Sequence, residues 1–78
     1  MKNFEPNPQK SVSAAYDSVN LINKTILETI DDKKKSLVER NVGHLEVMLT
    51  KEFFINALTP EQKTEIESCI SLGKAYIS

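Results

Sequence analysis

Residues 36–58, SLVERNVGHLEVMLTKEFFINAL, carry apolar side chains on two sides of one helical wheel, and this doubling constrains the fold more than any other feature. At about 100° per residue, Val38, Val42, Leu45, Leu49 and Phe53 fall along one side, widened by Leu37, Met48 and Ile55. A narrower line through Val47, Phe54 and Leu58 runs roughly opposite, with Gly43 one turn before it. A surface helix needs one buried face, so two faces ask for two neighbours. Either both neighbours are the chain's own flanking helices, or at least one face meets another chain.

Chain length sharpens that choice. Seventy-eight residues make one domain. Such a domain buries only about 60% of its unfolded surface, and its core alone supplies roughly 3–5 kcal/mol. The single cysteine, Cys69, excludes an internal disulfide, and the lone His44 beside it gives no zinc ligand set. Oligomerisation or docking is the remaining remedy, so the expected partner is a second copy or another protein. With 10 basic and 11 acidic residues the net charge is −1, which gives no long-range attraction for nucleic acid or anionic lipid. No apolar run approaches the roughly 20 residues of a membrane span. Met1 to Ser11 is polar and proline-bearing, without an apolar signal core, so a reduced intracellular setting is expected.

In chain order, residues 1–10 hold two of the three prolines and read as an extended arm, with residues 11–78 forming the domain. Phe4 is the arm's one large apolar group, either a stray aromatic or an anchor on a neighbouring surface. Asn7-Pro8 or Ser11 can start the first helix. Its stripe is Val12, Ala15, Tyr16, Val19, Ile22, Ile26 and Ile30. Ser36-Leu37-Val38-Glu39 has the form of a capping box, which favours a turn over 31–35 and a second helix from Ser36. One long bent helix is the alternative, since no Gly or Pro stands in that turn. Thr59-Pro60-Glu61-Gln62 combines a threonine cap, proline at the first helical position and Gln three residues after the cap. The helix it opens has a stripe of Ile66, Cys69, Ile70, Gly73, Tyr76 and Ile77. Cys69 and Gly73 are small and one turn apart, which admits a close helix approach; otherwise Gly73 marks the last turn.

The chemistry-bearing residues form no constellation. His44 sits at the edge of the broad apolar side, and Glu46 is too far round the helix to orient it as a base. Cys69 reads as a small core residue, with neither a helix N-terminus nor cations to activate it. Lys33-Lys34-Lys35 reads as a solvated turn at the end of the first helix; a phosphate-binding patch would need more basic residues and interleaved aromatics. Two glycines, Gly43 and Gly73, cannot build a phosphate-cradling loop, and one arginine, Arg40, cannot arm a recognition helix. No enzyme activity, cofactor, metal or small-molecule substrate is expected.

The segments Asn41-Val42-Gly43-His44-Leu45-Glu46-Val47-Met48-Leu49, Phe53-Phe54 and Gly73-Lys74-Ala75-Tyr76-Ile77 resemble a class of short uncharacterised proteins of tailed bacteriophages, particularly those of marine cyanobacteria. The similarity covers about the last 40 residues. It implies a virion-associated or accessory role, in the host cytoplasm or the virion, and carries no site residue with it. The expected fold is therefore all-α, with three antiparallel helices near 8/12–30, 36–58 and 60–77 completed by oligomerisation. The expected function is a protein–protein interaction or structural subunit, self-associating through Gly43, Val47, Phe54 and Leu58 with help from Phe4. The alternative is a monomeric binder that docks on a host or phage enzyme and alters its activity. Nucleic-acid binding through Lys33–Lys35 is a weaker third reading.

Overall fold

A computed structural model describes residues 8–78. Four helices follow one another: α1 (Pro8–Thr25), α2 (Asp32–Met48), α3 (Glu52–Ala57) and α4 (Pro60–Ile77). The helical class and the 60–77 helix are as expected. The count and two boundaries differ from the three-helix reading.

α1 opens on Pro8, whose missing N–H costs nothing in the first turn. Its inner face is Ala15, Ser18, Val19, Ile22 and Thr25, all buried, with Val12, Tyr16 and Ile26 packed against the edge. The helix stops five residues before the expected end. Leu27 N–H donates to Lys24 O at 3.3 Å and Glu28 N–H to Thr25 O at 2.9 Å, so the last turn tightens and closes. Leu27 and Ile30, which a longer α1 would have carried on or beside its stripe, are left outside, and Leu27 is 86% exposed.

The second helix begins four residues earlier than the Ser36 box predicts. Asp31 is the N-cap: its backbone is extended, and its side chain accepts from Lys34 N–H at 2.8 Å. Asp caps as well as Ser, and capping at Asp31 adds a helical turn that Ser36 would forgo. Lys33–Lys35 therefore lie in the first turn of α2, at the positive end of its dipole, rather than at the end of α1. Lys34 offsets this by folding back, reaching Glu28 at 3.3 Å, Asp31 at 3.8 Å and the Thr29 carbonyl at 3.2 Å.

The expected 36–58 rod is broken. Thr50 Oγ1 donates to Val47 O at 2.6 Å while Thr50 and Lys51 N–H bond back to Val47 and Met48, closing α2. Lys51 is extended (φ −98°, ψ 119°), and α3 restarts at Glu52 without a side-chain cap. Restarting frees Phe54 from the phase of Val47, and Phe54 is completely buried in the core. Burying a phenylalanine stabilises by about 1.5–3 kcal/mol, more than the roughly 1 kcal/mol net of a backbone bond lost at the break.

α4 starts as its sequence requires. Thr59 accepts from Gln62 N–H at 3.1 Å while Gln62 Oε1 accepts from Thr59 N–H at 2.9 Å, with Pro60 in the first turn. Ile66, Cys69, Ile70 and Gly73 are buried along its length, with Tyr76 and Ile77 packed beside them.

α2 packs against both α1 and α4 through one inner face. α3 lies against α1, and α1 also touches α4. Tyr16 meets Glu65, Val19 meets Cys69 and Ile22 meets Gly73, which sets α1 and α4 parallel. At Gly73 three helices converge: a Cβ there would lie 2.5 Å from Val42 Cγ2, 3.3 Å from Val38 Cγ1 and 3.5 Å from Ile22 Cγ2. The glycine is at a close helix approach and not at a helix end.

Candidate interface on the outer face of α2

α2 has its core residues Val38, Val42 and Leu45 turned inward. Gly43 stands about opposite them on the wheel, with Val47 one turn later on the same side. Val47 is 56% exposed, and an added Cβ at Gly43 would meet nothing within 4 Å among the described residues. Around this pair lie Glu39, Arg40 and Glu46, all exposed. Glu46 is held from the α4 side by Lys74 at 2.6 Å. That pair is half-solvated on both partners, so it contributes about 0.2–1 kcal/mol.

Of the expected interface residues the structure thus brings two together, Gly43 and Val47. Phe54 is withdrawn into the protomer's own core, because the break before α3 re-aims it. Leu58 is half-buried and packs on the same core. Phe4 lies outside the described residues. Leu72 on α4, 52% exposed, was not among the residues expected to face outward; its phase off the Cys69–Gly73 stripe could have marked it.

Cys69 and Tyr16 are held by the packing of α1 against α4. Cys69 is buried, its Sγ 3.7 Å from the Val19 carbonyl, and burial with the nearby Glu65 carboxylate pushes the thiol up from its usual range. A thiol so held is a poor nucleophile. Tyr16 Oη donates to Glu65 Oε1 at 2.8 Å; desolvation first, then that bond and charge, push its phenol up to about 12. His44 is exposed on α2, and no group of three His, Cys, Asp or Glu capable of holding a metal occurs among the described residues. Two shallow depressions are lined by Pro60, Glu61, Thr64 and Glu65 on α4 and by Asp32, Lys33, Ser36, Leu37 and Arg40 on α2. Each draws its described lining from a single helix. Among the described residues, no helix is long and apolar enough to cross a membrane.

The fold and this face define a small all-helical domain with one solvent-facing apolar position beside an uncrowded glycine. No protein-family model, curated protein or solved structure matches the chain.

Proposed function

We propose that the protein is a small helical interaction or structural subunit that self-associates, using the outer face of α2. The observation that carries the reading is Gly43. A glycine in a helix interior costs roughly 0.5–1 kcal/mol relative to alanine, and nothing within 4 Å among the described residues requires it there. Gly73 has such a reason in the Val42 side chain; Gly43 acquires one only when another backbone approaches from outside. Val47 beside it supplies the apolar contact. A virion-associated or accessory phage setting is supported by the resemblance of residues 41–49, 53–54 and 73–77 alone.

Sedimentation velocity over a micromolar-to-millimolar concentration series tests the reading. Concentration-dependent growth of the sedimentation coefficient, suppressed in Val47→Asp with an unchanged helical spectrum, is the expected result. A monomer at every concentration would overturn it.

A further inference from the structure

Two of the three connections between helices keep their apolar residues on the core: Leu49 after α2 and Leu58 before α4 are half-buried against it. The connection from α1 to α2 does not. In residues 26–31, Leu27 is 86% exposed and Ile30 47%, where the chain turns back on itself. This stretch holds no glycine or proline, and no residue with positive φ occurs among the described residues, so its backbone is free to open into another conformation. Lys34 ties it to α2 through Glu28, Asp31 and the Thr29 carbonyl, and ion pairs as solvated as these hold weakly. We infer that residues 26–31 are a hinge and that a second copy of the chain covers it: two copies exchange α1, and each hinge shelters the Leu27 and Ile30 of the other. This goes beyond the self-association reading, because the exchange does not use the outer face of α2.

Exchange asks for no new complementary surface. The contacts that α1 leaves, Val19 on Cys69, Ile22 beside Gly73 and Tyr16 on Glu65, are remade residue for residue with the α4 of the other copy. An unrelated protein would have to reproduce that face of α1, whereas a copy does so by identity. α1 is the element suited to leave, since residues 26–31 are the single link between it and α2–α4. In the exchanged pair the two hinges cross from one domain to the other in opposite directions, and the two-fold axis passes between them. Leu27 and Ile30 of one copy then lie against the same residues of the other. Their burial is what the exchanged form gains over the closed one; the Asp31 cap and the Lys34 contacts are what it gives up. Dilution favours the closed form, and folding at high concentration favours exchange. Because α1 must come out of its own core to exchange, the two forms interconvert through unfolding and therefore slowly.

The α1–α4 seam supplies the test. Cys69 Sγ lies 3.7 Å from the Val19 carbonyl oxygen, so Val19→Cys sets a second thiol against it across the seam. The chain is refolded at millimolar concentration, its dimer isolated by size exclusion, diluted to micromolar and oxidised with diamide. On a denaturing, non-reducing gel the dimer fraction is expected to run as a covalent dimer and the monomer fraction, bridged within the chain, as a monomer. The wild-type dimer should persist on dilution and return to monomer only after it is unfolded and refolded dilute. Leu27→Asp combined with Ile30→Asp, both in water in the closed protomer, should lower the dimer yield about tenfold with the monomer's helical spectrum retained, whereas Val47→Asp should leave that yield unchanged. A dimer that bridges within each chain, or that dissociates at once on dilution, overturns the exchange and leaves self-association through α2 standing. If Val19→Cys does not fold, the wild-type dilution and the Leu27–Ile30 pair decide, and an undiminished yield from that pair overturns the hinge. Refolding that returns monomer at every concentration overturns the exchange outright.

Discussion

Gly73 and Gly43 occupy the interiors of two helices that touch, and they face opposite worlds. At Gly73 the inner face of α2 presses so close that Val42 would overlap an added methyl, and Ile22 of α1 closes the third side. At Gly43, on the outer face of the same α2, an added methyl would meet none of the described residues within 4 Å. The same contrast runs through the two apolar residues once expected to share a line: Phe54 is fully buried and Val47 more than half exposed. Residue type is therefore no guide to role here. The turn of chain that aims each residue decides it.

Substitutions that treat the two regions alike should break in different ways. Phe54→Ala removes the largest fully buried side chain, and a loss of about 3–5 kcal/mol is expected in urea unfolding, enough to unfold a domain this small. Gly73→Ala gains helix propensity but drives its methyl into the stiff β-branched Val42; a net loss of about 1–3 kcal/mol is expected, relieved in part by Val42→Ala in the same chain. Gly43→Ala, measured at dilutions where the chain is monomeric, should go the other way and stabilise by about 0.5–1 kcal/mol. Val47→Lys should stay within about 0.5 kcal/mol in the same monomer. If Gly43→Ala and Gly73→Ala shift stability in the same direction, the contrast between the two faces is wrong.

A smaller effect distinguishes the α1–α4 seam by pH. The Tyr16 phenol is raised to about 12 against an ordinary 10.0, so above pH 10 the unfolded chain gives up its proton before the native one does. The stabilising share of the Tyr16–Glu65 bond is thus complete below pH 10 and declines as pH rises towards 12. Tyr16→Phe should flatten that alkaline decline in chemical unfolding, and an unchanged slope would remove Tyr16 as its source. Tyr76 Oη, a buried hydroxyl without a hydrogen-bond partner among the described residues, gives the opposite case: Tyr76→Phe should be neutral or slightly stabilising.

Where local chemistry and packing agree, the structure was readable in the sequence. α4 is the clear case, because Thr59, Pro60 and Gln62 fix its start and the stripe from Ile66 to Ile77 fixes its buried side. α1 was readable along its stripe and misjudged at its end, because Ile26 and Ile30 keep the helical period while Asp31 caps the next helix. Asp31 and Ser36 are both competent caps, and only the extra turn and the Lys34 contacts separate them. The break after Met48 had no Gly or Pro to announce it. It depends on a threonine hydroxyl turned onto Val47 O and on a core with room for Phe54, and the second of these is a tertiary property. The candidate face was accordingly legible in Gly43 and Val47, and illegible wherever the 36–58 stretch was taken as one rod.

The parallel docking of α4 on α1 has a kinetic corollary. The touching residues Tyr16–Glu65 and Val19–Cys69 are separated by 49 and 50 positions, whereas α2 follows α1 across residues 26–31 and precedes α4 by residues 49–59, which include α3. Closing the long loop before α2 is in place is entropically the slowest route, so the α1–α4 seam should form late. Substitutions at Tyr16 or Cys69 should then appear chiefly as faster unfolding, with the refolding arm of the chevron almost unmoved. The helix that starts most decisively is the one whose grip determines how long the native state lasts.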